Sequence, residues 1–126
     1  MTITATNLLP ASASFPANWN GTAPQRLEEW LQKAQEIVNR NYATNFPNLI
    51  PSVLEMSDGR RYVRIDVISN GGSGQRSVWA FIDKFTGDVL KAATYKTPAK
   101  HARGNLFDSD GGVGKLTPYG PAYLKG

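Results

Sequence analysis

Between Thr22 and Ala43 apolar residues recur at the helical period, and between Leu49 and Tyr95 the period drops to two. This switch limits the fold more than any other feature. A helical stripe and an alternating strand face must each bury an apolar surface, and each can serve as the other's cover. Leu27, Trp30, Leu31, Ala34, Ile37 and Val38, with Tyr42 beyond, make the stripe, while Glu28, Glu29, Gln32, Lys33, Glu36 and Arg40 fill the opposite side. Thr22 and Gln25 have the spacing of a capping box, and Pro24 suits the first turn. Acids lie early and a base late, as the helix dipole favours. Pro47 drives the residue before it out of the helical region and predicts an end near Ala43.

Four strands are expected after the helix. "LIPSVLEM" is the first, with Pro51 arguing for an edge. Asp58-Gly59 reads as a two-residue hairpin turn into "RRYVRIDVIS". "NGGSG" is a loop, "RSVWAFID" the third strand, and Gly87 in "DKFTGDV" turns the chain into "DVLKAATY". Strict alternation puts Val63, Ile65, Val67, Val78, Ala80 and Ile82 on the helix side. It leaves Tyr62, Arg64, Asp66, Ile68, Trp79 and Phe81 on the other. The expected fold is α+β: one long helix on a four-stranded antiparallel meander. That arrangement resembles the cystatin-like one, and "FIDKFTGDVL" resembles the closing hairpin of small PepSY-type modules. Residues 1–21 read as an N-terminal arm, 22–95 as the helix-plus-sheet domain and 96–126 as an irregular basic C-terminal arm, since Pro98 and the later glycines and prolines forbid a long regular element. In the first arm Leu8, Leu9, Phe15 and Trp19 are the available anchors.

Trp79 and Phe81 would form an apolar patch on the uncovered sheet face. Such a patch demands cover from the arms, from a second copy, or from a foreign protein.

Charge adds a second asymmetry. Cations and anions balance over residues 1–90, so the net +4 resides in residues 91–126. Lys96, Lys100, His101 and Arg103 stand within eight residues, flanked by Tyr95 and Phe107. Cations with flanking aromatics can grip phosphates and stack on bases, which makes nucleic acid a possible partner. The same cations could equally pin the arm to acids of its own domain.

Residues suited to catalysis are sparse. There is no cysteine and one histidine, His101. "DSDGG" opens like a calcium loop, but Tyr119 stands where the twelfth position needs a bidentate Glu. "SDGGVGKLT" lacks the Gly and the Ser or Thr of a phosphate loop, with Ser109 and Leu116 at those places. No catalytic residue, metal or cofactor is expected. No apolar run approaches the roughly 20 residues that span a bilayer, and the N-terminus lacks the layout of a signal peptide.

"FIDKFTGDVLKAATYKTPAKHARGNLFD" followed by "GPAYL" resembles an uncharacterised small-protein family of tailed bacteriophages, marine phages of cyanobacteria in particular. The likeness covers residues 80–126. It implies a phage protein of the virion or the host cytoplasm and brings no catalytic residues. The expected function is therefore non-enzymatic: binding another protein, or self-association, in virion assembly or on a host target. Lys96, Lys100, His101, Arg103, Trp79 and Phe81 are the binding candidates. The alternative is a nucleic-acid-binding accessory protein that uses the basic arm.

Overall fold

The computed structural model describes residues 23–122. The expectations for residues 1–21 and the Thr22 cap lie outside the described residues. Helix α1 (Ala23–Asn45) is followed by strands β1 (Val53–Asp58), β2 (Tyr62–Ile68), β3 (Arg76–Asp83), β4 (Asp88–Ala92) and β5 (Pro98–Asn105). These form one antiparallel sheet in the order β1-β2-β3-β4-β5. A small hairpin of β6 (Leu116–Thr117) and β7 (Gly120–Pro121) completes the described chain.

Helix α1 forms where the stripe predicted it and runs two residues further than expected. Its last turn is closed by the Phe46 amide donating to the Tyr42 carbonyl at 2.8 Å. Pro47 constrains Phe46, not Ala43, so the helix can continue to Asn45. Leu27, Trp30, Leu31, Ala34 and Val38 are buried against Leu54, Met56, Val63, Ile65, Ala80, Ile82 and Val89. Each Leu, Ile, Val or Met side chain among them contributes about 1.5–3 kcal/mol through burial.

The sheet has five strands, not four. The segment expected to be irregular after Pro98 pairs with β4 through Asp88↔Asn105, Leu90↔Ala102 and Ala92↔Pro98. Proline is tolerated as the first residue of an edge strand, where no ladder amide is lost. The sequence hides this strand because its middle, Lys100 to Ala102, is exposed and so carries no apolar alternation. The β1–β2 connection also differs: Gly59, Arg60 and Arg61 make a three-residue loop, with the Gly59 amide donating to the Tyr62 carbonyl at 3.0 Å.

Strict alternation fails at one place in β3. The register steps from Ile65↔Ala80 to Asp66↔Val78, so Trp79 has no partner and forms a β-bulge. Trp79 therefore turns to the helix side, edge-on to Trp30 with ring centroids 6.0 Å apart. Val78, expected on the helix side, shares the opposite face with its cross-strand partner Asp66. Phe81 remains on that opposite face, where its partners are Arg64 and Leu90 and its ring meets Tyr62 edge-on at 5.9 Å.

The chain after β5 lies on the helix side of the sheet. Leu106 is fully buried, with Phe107, Val113 and Leu116 packed on the same core. The Arg26 guanidinium donates to the Leu106 carbonyl at 3.1 Å, and the Trp30 indole N–H to the Gly112 carbonyl at 3.3 Å. Gly112 holds φ +85°, and a Cβ there would stand 2.9 Å from the Asn105 carbonyl oxygen, so only glycine lets this loop approach β5.

Both sheet edges are managed. On β1 the Gln35 amide donates to the Ser52 carbonyl at 2.9 Å and accepts from the Leu54 amide at 2.8 Å, in place of a neighbouring strand. On β5 the exposed Lys100 and His101 put a charged and a polar side chain along the open edge, a common guard against edge-to-edge pairing.

Candidate binding surfaces

The six residues expected to form a binding surface do not come together. Trp79 and Phe81 are both buried and on opposite faces of the sheet. Arg103 is also buried. Its Nε donates to the Ala122 carbonyl at 3.2 Å and its Nη1 to the His101 carbonyl, so it clamps the residue after β7 to β5. Lys91 reinforces the clamp by donating to the Pro121 carbonyl at 3.0 Å. Lys100 and His101 stand exposed on the edge strand. Lys96 departs from the others and lies in the β4–β5 turn, shaped by Thr94, whose hydroxyl accepts from the Lys96 and Thr97 amides at 3.2 and 3.0 Å.

Lys96 instead joins the β1–β2 loop. Together with Arg60, Arg61, Tyr62 and Arg64 it lines a pocket of about 350 Å³ over Phe81. The loop is held from below by Lys84, a buried cation. Its ammonium donates to Asp58 at 2.6 Å and to the Gly59 carbonyl at 2.9 Å. Arg61 bonds Asp83 at 3.2 Å, and Arg64 bonds the fully buried Asp66 at 3.0 Å while stacking 4.4 Å above the Tyr95 ring. Asp66 also takes Arg76 at 2.8 Å, which in turn reaches Glu55 at 3.1 Å. The hydrogen bonds to Asp66, then to Glu55, favour the charged guanidinium and push the pKa of Arg76 above the usual arginine value. The sequence pointed to Lys96 but not to its companions. Their only signal was the run Arg60-Arg61 beside a turn glycine.

A second concavity opens at the far end of α1. It holds about 400 Å³ between Val38 and Tyr42 of the helix, Phe46 and Leu49 just beyond it, Val67 and Ser77 of the sheet, and Pro118 and Tyr119 of the β6–β7 turn. Trp79 forms its floor, with the indole N–H donating to the Pro118 carbonyl at 3.3 Å. No charged side chain lines it. Its surroundings are apolar and open: Phe46 is 41%, Leu49 60%, Ile50 59% and Tyr119 74% exposed. The bulge that turns Trp79 inward makes this floor, and alternation alone could not reveal it.

Among the described residues no helix is long and apolar enough to cross a membrane, and no group of three His, Asp or Glu could hold a metal ion. No curated protein and no solved structure matches the chain. A family model matches residues 19–116, which take in the helix, all five strands of the sheet and most of the chain that covers them. The chain belongs to that family, a family of unknown function designated DUF7717.

Proposed function

We propose that this is a non-enzymatic binding protein that works by association through the Trp79-floored groove, and that its first partner is a second copy of itself. The observation that carries this reading is the pairing of a hole and a knob on one face. The groove is free of charge, and Leu49 of its own rim, with Ile50 next to it, is more than half exposed and supplies the knob. A surface with both shapes is self-complementary, as a two-fold contact requires, because each copy can seat its knob in the other's hole. Large apolar side chains gathered in the open usually mark an interface. The lining offers hydroxyl, amide and apolar groups and holds no carboxylate, imidazole or amine to move a proton. A self-associating protein of this kind suits virion assembly, the role that the likeness of residues 80–126 to tailed-phage proteins suggests.

Sedimentation velocity over a wide concentration range tests it. The wild type is expected to rise from 13.8 kDa toward twice that mass. Leu49→Asp, at an exposed site, is expected to stay monomeric with an unchanged circular dichroism spectrum. A wild type that stays at 13.8 kDa at every concentration overturns the reading.

A further inference from the structure

We propose that the pocket at the β1–β2 loop is a binding site for the phosphate of a nucleotide unit. Four cations, Arg60, Arg61, Arg64 and Lys96, line it, against one carboxylate, Asp58. That carboxylate is already held by Lys84 at 2.6 Å, so it does not neutralise the pocket. Arg61 and Arg64 each spend two N–H groups on one aspartate, Asp83 and Asp66. These bonds fix the two guanidinium planes and leave their other N–H groups for a ligand, since an arginine carries five.

Arg60 and Lys96 matter most. Their side chains make no hydrogen bond or ion pair among the described residues, yet two loops bring them to the same small concavity. Gathering unpaired like charges is unfavourable unless an anion completes the set. Both loops are built rather than incidental. The first is anchored by Lys84, whose amide donates to the Arg61 carbonyl at 2.8 Å, and the second by Thr94. The aromatic partners select a nucleotide over a bare ion. Tyr62 lines the pocket with Arg61 over one side of its ring, and Tyr95, next to Lys96 at the pocket's margin, is 43% exposed beneath Arg64. Stacking surfaces beside cations on a sheet face are the means by which proteins hold single strands without reading sequence. The site is on the opposite face of the sheet from the groove floor, so its occupation is independent of self-association.

The test uses fluorescence anisotropy of a labelled single-stranded oligonucleotide at low salt. It compares the wild type, Arg60→Ala/Lys96→Ala and, as an exposed cation elsewhere, Lys115→Ala. The double variant is expected to lose at least about tenfold in affinity, as loss of charge-assisted bonds implies. Its slope of log affinity against log salt should be shallower by about 0.7 for each lost phosphate contact. Lys115→Ala is expected to match the wild type. Displacement by an unlabelled mononucleotide at equal phosphate concentration makes the ligand a free nucleotide, whereas displacement by the unlabelled oligonucleotide alone makes it a strand; either result supports the site. Both altered side chains are exposed, so the double variant keeps the wild-type melting curve. No binding of oligonucleotide or mononucleotide by the wild type, or a double variant that binds as the wild type does, overturns the proposal.

Discussion

Trp79 lies edge-on to Trp30 at 6.0 Å, and its indole N–H donates to the Pro118 carbonyl at 3.3 Å. One side chain thus ties β3 to the helix and to the β6–β7 turn, and it also floors the groove. Trp79→Phe should retain most of the packing and lose the hydrogen bond, lowering stability by about 1 kcal/mol in chemical denaturation. Trp79→Ala leaves a large hole and should cost about 3–5 kcal/mol.

Strand β2 carries a second dependence. Ile65 is fully buried, and Ile65→Ala should cost about 2–5 kcal/mol. Its outward neighbour Arg64 would be a silent surface residue by alternation alone. The structure instead sets it on Asp66, which is fully buried. Arg64→Ala should therefore cost about 1.5–3 kcal/mol, the range for a hydrogen bond to a charged group. A melting curve unchanged by Arg64→Ala would show that Arg76 alone satisfies Asp66.

What the sequence made legible follows from which surfaces are buried. The α1 stripe and the first half of β2 were readable because each buries one face, Val63 and Ile65 alternating with half-exposed Tyr62 and Arg64, and Gly87, with φ +82°, was readable because its turn needs a left-handed residue. Strand β5 was not, because an exposed edge strand carries Lys100, His101 and Ala102 in place of an apolar pattern. The bulge at Trp79 was invisible because a one-residue step in register depends on the partner strand. The basic cluster was legible as composition and not as a site. Its members part company: Arg103 is a buried clamp, Lys100 and His101 guard an edge, and Lys96 joins arginines 32 to 36 residues earlier in the chain.

Lys84 and Asp58 form a largely buried ion pair that joins the β1–β2 loop to the end of β3. Removing one partner strands the other without solvent. Lys84→Ala should cost about 3–5 kcal/mol, and the Lys84→Ala/Asp58→Ala pair less than the sum of its parts. A double-mutant cycle by urea denaturation measures the coupling.

Gly112 meets the Asn105 backbone where no side chain fits. Gly112→Ala should destabilise by about 1–3 kcal/mol, from a left-handed φ and from the displaced loop. Because the Trp30 indole bonds the Gly112 carbonyl, the same variant should shift the tryptophan emission.

The central claim is that Leu49 of one copy seats in the groove of another, and the chain's lack of cysteine makes a direct measurement possible. Leu49→Cys protein is mixed with Ser77→Cys protein, Ser77 being an exposed residue of the groove wall, under mild oxidation. The account predicts a Leu49→Cys/Ser77→Cys disulfide pair formed well above the level given by an exposed Lys115→Cys control. Cross-linking no greater than that control would contradict it.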